Sequence, residues 1–125
     1  MIKHLVIFGI ILTVIDAIWL RNVMLPLYTK WFSSIRLDIT PNMIAVAVAY
    51  ALMILAFPLL VKSDDPTTEV TRGLAFGALA YGIYGFTVAA IFPKYGIGLA
   101  SLETVWGMTL YGLTTFLTQQ VMSKL

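Results

Sequence analysis

The sequence predicts an all-α integral membrane protein, a four-helix transmembrane bundle with an interfacial helix between its first two spans. Three observations carry that prediction. Of the 125 residues, 60% are hydrophobic and 11% charged, and the mean hydropathy is +0.93, a composition outside the range of soluble domains. The few charges mostly bracket long apolar runs rather than interrupt them. Each run approaches the roughly 20 residues that a helix rising ~1.5 Å per residue needs to cross about 30 Å of hydrocarbon.

The chain reads as one transmembrane domain covering 1–125. Its first helix is expected over about 5–22, broken only by Asp16 and closed by Arg21. Lys3 and His4 ahead of the apolar run resemble the start of a signal peptide, but Ile15-Asp16-Ala17-Ile18-Trp19-Leu20 contains no small-x-small cleavage pattern, so a retained helix is expected. Between it and the second span, Leu27, Trp31 and Ile35 recur at i, i+4 and i+8, with Lys30, Ser33, Ser34 and Arg36 off that stripe. This pattern predicts an amphipathic helix at about 26–37 lying in the headgroup layer.

The second helix is expected over 41–61, where Thr40-Pro41 supplies an N-cap and a first-turn proline. Asp65-Pro66 repeats that signal, so the third helix begins in water and crosses over 72–92. Pro93-Lys94-Tyr95-Gly96 is a short turn, which makes the fourth helix, 97–121, the antiparallel partner of the third. Gly73 with Gly77, Ala78 with Gly82, and Ala45 with Ala49 are small-xxx-small pairs, suited to close helix contact within one bundle or between two.

Four spans put both termini on one side, cytoplasmic by default. The charges do not decide the side: Lys3, Lys62, Arg72 and Lys124 lie on the terminal face, and Arg21, Lys30, Arg36 and Lys94 on the other. A net charge of +2 gives no nucleic-acid footprint, and zero cysteines exclude disulfides and thiolate metal sites. No phosphate-binding glycine loop, nucleophile elbow or His cluster occurs, so neither a metal nor another cofactor is expected. His4, alone beside Lys3, reads as a solvated charge partner.

Chemistry concentrates in two carboxylates. Asp16 and Glu103 lie inside apolar runs, and each is followed three residues later by a tryptophan, Trp19 and Trp106. An ionisable group at the centre of a span costs roughly 2.5–3.5 kcal/mol on insertion scales, so its presence asks for a role. Antiparallel helices place both acids about six residues, or ~9 Å, below the surface opposite the termini. Asn42 at the start of the second helix, and Tyr84 and Thr87 in the far half of the third, fall at that end too. Asp16, Glu103, Asn42, Tyr84 and Thr87 are therefore expected to line one polar pocket, with Trp19 and Trp106 beside it. Such a pocket suits a proton relay, a cation site or hydrogen bonding to a polar headgroup. For Trp106 the alternative is an ordinary belt residue, with Glu103 then in the headgroups. For Asp16 a pairing with Arg21 is disfavoured by the i, i+5 spacing.

Taken in order, the Asp16-Ala17-Ile18-Trp19, Pro41-Asn42, Ala80-Tyr81-Gly82-Ile83-Tyr84 and Glu103-Thr104-Val105-Trp106-Gly107 segments resemble a family of small four-helix membrane proteins known as domain of unknown function 2177. The resemblance spans nearly the whole chain. The family pattern carries Asp and Asn in helix three where this chain has Gly85 and Ala89, and Asp where it has Glu103. The resemblance implies the fold and no reaction.

Small size, missing catalytic sets and the thinned polar set of helix three favour a non-enzymatic protein. It would bind a membrane lipid or other amphiphile, or serve as an accessory subunit of a larger membrane assembly. A small proton-coupled transporter, acting as a dimer through Asp16 and Glu103, is the alternative, and the balanced positive charge leaves room for dual topology. A third reading is an intramembrane lipid-modifying enzyme using the two carboxylates as acid and base.

Overall fold

A computed structural model describes residues 2–24, 26, 43–92 and 95–125. The expected interfacial segment at 26–37 lies outside the described residues apart from Pro26, as do Pro41, Asn42, Pro93 and Lys94. Among the described residues the chain forms four long helices and no strand: α1 (Ile2–Trp19), α2 (Met43–Ala56), α3 (Pro66–Ile91) and α4 (Gly96–Ser123). Wide π turns extend α1 through Leu20–Met24 and α2 through Phe57–Val61. Pro58 explains the second of these. Its ring blocks a regular helical hydrogen bond, and the ladder resumes with Lys62 N–H donating to the Phe57 carbonyl five residues back at 2.8 Å.

Helix three starts where its cap dictates. Asp65 has extended backbone and its carboxylate accepts from Thr68 N–H at 3.1 Å, with Pro66 at the first helical position. At the other end, Tyr95 N–H donates to the Phe92 carbonyl at 3.0 Å, and Gly96, at φ +78°, turns the chain into α4. That positive φ is a backbone state open to glycine and costly for a side chain carrying a Cβ.

The hairpin is antiparallel along most of its length. Gly73 faces Thr115, Gly77 faces Gly107, Gly82 faces Thr104 and Gly85 faces Ala100. At Gly77 and Gly107 the two backbones meet with no side chain between them, because a Cβ on Gly77 would overlap the Gly107 carbonyl. The Gly73 and Gly77 pair and Gly82 thus serve contacts inside one bundle. Ala45 and Ala49 are exposed on α2.

Three helices are long and apolar enough to cross a membrane: Ile2–Val23, Met43–Val61 and Pro66–Ile91. α4 is long enough but less apolar, and the reason is where its polar residues point. Thr114, Thr115 and Thr118 are fully buried. Thr115 and Thr118 hydroxyls donate to the carbonyls four residues back, at 2.7 Å each. Its outer face is Leu102, Val105, Met108, Leu113 and Phe116. α4 is thus apolar outside and partly polar inside, and its pairing with α3 sets it alongside a candidate span.

The core is a knot of Phe8 and Leu12 from α1, Phe57 and Val61 from the end of α2, and Leu110 and Tyr111 from α4, all fully buried. Phe8 stacks on Phe57 at 4.4 Å between centroids and meets Tyr111 at 5.1 Å. The Tyr111 hydroxyl, which needs a partner when buried, donates to the Met53 carbonyl at 2.7 Å and ties α4 to α2. The start of α1, the α2–α3 turn and the end of α4 gather at one end of the bundle. There the His4 ring lies 4.9 Å from Phe57, and Gln119 reaches Glu69. His4 is therefore partly buried against an aromatic ring, with its Nε2 enclosed, rather than a solvated charge partner.

Candidate functional site

Asp16 is the centre of the site. It lies on the inner face of α1, 5% exposed, and both carboxylate oxygens are engaged. The Tyr50 hydroxyl of α2 donates to Oδ2 at 2.6 Å, and the Trp106 indole N–H of α4 donates to Oδ1 at 3.1 Å. One side chain thus joins three helices through two hydrogen bonds with a charged-group acceptor, the stronger kind. Trp19, one turn along α1, stacks on Trp106 with centroids 4.2 Å apart and planes 6° apart. That stack holds the indole edge toward Asp16.

Glu103 is also buried, at 5% exposure. It sits three residues before Trp106, so it lies about 4.5 Å along the α4 axis from the indole bound to Asp16. The two acids share a region of the bundle, and Glu103 faces the protein interior. Tyr84 and Thr87 are exposed on α3. Tyr84 nevertheless borders an open groove of about 320 Å³ whose floor is Asp16 and whose α2 wall is Ala49, Tyr50 and Met53. Thr87 is not among the residues lining that groove. Asn42 lies outside the described residues. Arg21 is exposed on the π turn, consistent with a side chain reaching toward the interface.

Tyr50 completes the site although no sequence motif marks it. It is the only side chain between Met43 and Val61 with a hydroxyl or other strong hydrogen-bonding group, which was the available signal. In a span with a buried acid opposite, a single tyrosine is the natural donor. Tyr81 packs into the hairpin: it covers Gly107, and its hydroxyl lies 3.7 Å from the Met53 sulfur.

A third buried acid, Glu69, lies in the first turn of α3. It is 2% exposed at the end of the bundle that holds the termini. Its Oε2 accepts from Ser63 N–H at 3.1 Å and lies 3.5 Å from the Lys62 ammonium, while its Oε1 accepts from Gln119 at 3.0 Å. The same Gln119 amide donates to the Pro66 carbonyl at 2.9 Å. Every bond to Glu69 fastens the α2–α3 turn or the end of α4, so this cluster is a clasp.

Among the described residues no three His, Asp or Glu side chains are placed to hold a metal ion. The Asp16 site is instead a carboxylate with two neutral donors at the floor of a mostly apolar groove. It can accept hydrogen bonds and attract positive charge. No curated protein and no solved structure matches the chain. The family model described as a predicted membrane protein matches residues 1–120, and the chain therefore belongs to that family, domain of unknown function 2177 (DUF2177).

Proposed function

We propose that this membrane protein is non-enzymatic and binds a lipid or other amphiphile in the groove between α1, α2 and α3. The observation that supports the reading is the state of Asp16: both oxygens are held by Tyr50 and Trp106 while the residue still floors an open groove. A carboxylate fixed in that way is a recognition element. A proton shuttle or a general acid–base pair works better with an oxygen free to face water or a reacting bond. The groove's volume of about 320 Å³ falls at the small end of the roughly 300–1,000 Å³ range of ligand sites, room for a headgroup. The proposed arrangement has four spans, with both termini on one side of the membrane, cytoplasmic by default.

The test is reconstitution. Protein in nanodiscs should bind an alkyl-chain probe saturably, and Ala49→Phe, which fills the groove without touching Asp16, should abolish that binding. In liposomes, proton flux should stay at background for wild type, Asp16→Asn and Glu103→Gln alike. Flux well above empty vesicles that disappears in Asp16→Asn would replace this reading with the proton-coupled transporter.

A further inference from the structure

We propose that the ligand of the Asp16 groove carries an ammonium head and enters from the lipid, an inference that rests on the amphiphile-binding reading above. Both Asp16 oxygens accept, one from a phenol and one from an indole, and two such bonds leave acceptor capacity on each oxygen for a further donor. Neither donor is charged. The ion pair found among the described residues, Lys62 with Glu69, involves other residues, at the end of the bundle that holds the termini. No described Lys, Arg or His lies within ion-pair distance of Asp16. Among the described residues two dipoles therefore orient the carboxyl group and no cation faces it, in a place where an uncompensated charge is expensive. A cation in the groove supplies what the described residues leave out.

The walls agree with a cation of low hydration. Tyr50 and Tyr84 border the groove, and tyrosine faces attract quaternary and primary ammonium groups. Ala49 keeps the α2 side open by its small size. Tyr84, 56% exposed, marks the side facing the surroundings of the bundle, so an alkyl tail would extend into lipid while the head sits on Asp16. An anionic head would meet Asp16 directly and be repelled. An uncharged head would fill space and leave the carboxylate without a counter-charge.

The experiment uses the full chain in nanodiscs of zwitterionic lipid, titrated with dodecyltrimethylammonium and, separately, with dodecyl maltoside. Readout is the fluorescence of the tryptophans, two of which stack beside Asp16, with empty nanodiscs as the partition control. The ammonium probe should bind at least about tenfold more tightly than the maltoside, a difference on the order of one charge-assisted contact. Asp16→Asn should erase the preference, and Asp16→Glu should retain it, which serves as the comparison if the Asn variant fails to fold. Equal, saturable binding of the two probes to wild type would overturn the ammonium assignment and leave the amphiphile reading standing. No saturable binding of either would overturn both. Displacement of the probe by tetramethylammonium at matched concentration would overturn entry from the lipid, since a soluble cation would then suffice.

Discussion

Replacing Gly77 by alanine should separate the α3–α4 hairpin, and the structure sets the sign and scale. In a helix interior, Gly→Ala alone gains roughly 0.5–1 kcal/mol. At Gly77 that gain is opposed by contact. The new Cβ would overlap the Gly107 carbonyl oxygen, lie 2.6 Å from the Gly107 carbonyl carbon and 2.9 Å from Tyr111 Cβ, where ordinary contacts begin at 3.4 Å. The first two are backbone atoms and cannot rotate away, so the helices must part by about 1 Å along a tightly packed seam. Overpacking of this kind costs typically 1–3 kcal/mol, which leaves a net loss of up to about 2.5 kcal/mol once the propensity gain is set against it. Gly98→Ala is the matched control, because nothing lies within 4 Å of a Cβ there. It should stabilise by about 0.5–1 kcal/mol. Gly82→Ala, which meets only the Thr104 side chain at 3.3 Å, should fall between them. The assay is reversible unfolding in mixed micelles, followed by far-UV circular dichroism. Equal midpoints for the Gly77 and Gly98 variants would refute the backbone-contact reasoning.

Removing Lys62 by Lys62→Met should destabilise more than the double change Lys62→Met with Glu69→Gln, because the single change strands a buried carboxylate; the pair is partly exposed, so the difference is about 1 kcal/mol, read from a double-mutant cycle. Asp65 gives the acid limb of stability. Its hydrogen bonds to Thr68 hold its carboxyl below the ordinary carboxylate value, so its contribution is fully present above that value and is lost as pH falls through the lowered one. Asp65→Ala should flatten this part of the pH profile, and an unchanged profile would show that the cap carries none of it.

The helices were legible because apolar length and capping residues are local signals: Asp65-Pro66 marked the start of α3, and Gly96 marked the turn into α4. The meeting of Asp16 with Trp106 was partly legible, since antiparallel topology fixes depth from residue counts. What depth does not fix is rotation about each helix axis. α2 is apolar nearly all round, so no stripe announced that Tyr50 faces Asp16. The Glu69 clasp was hidden for another reason. Its partner Gln119 is 50 residues away, and an acid in a first turn already has a sufficient local explanation in the helix dipole. Thr87 failed to join the groove because belonging to the right half of α3 says nothing about which side of it a residue takes.

The inward-facing threonines of α4 bear on how the chain enters the bilayer. A segment whose hydroxyls and amides would face lipid if it arrived alone has a weak claim on the membrane by itself. α3 precedes it in synthesis, and a tight turn returns α4 at once onto the glycine-lined seam. The two helices are thus suited to partition as one hairpin, each hiding what the other would expose, and the last helix depends on its predecessor for admission as well as for packing.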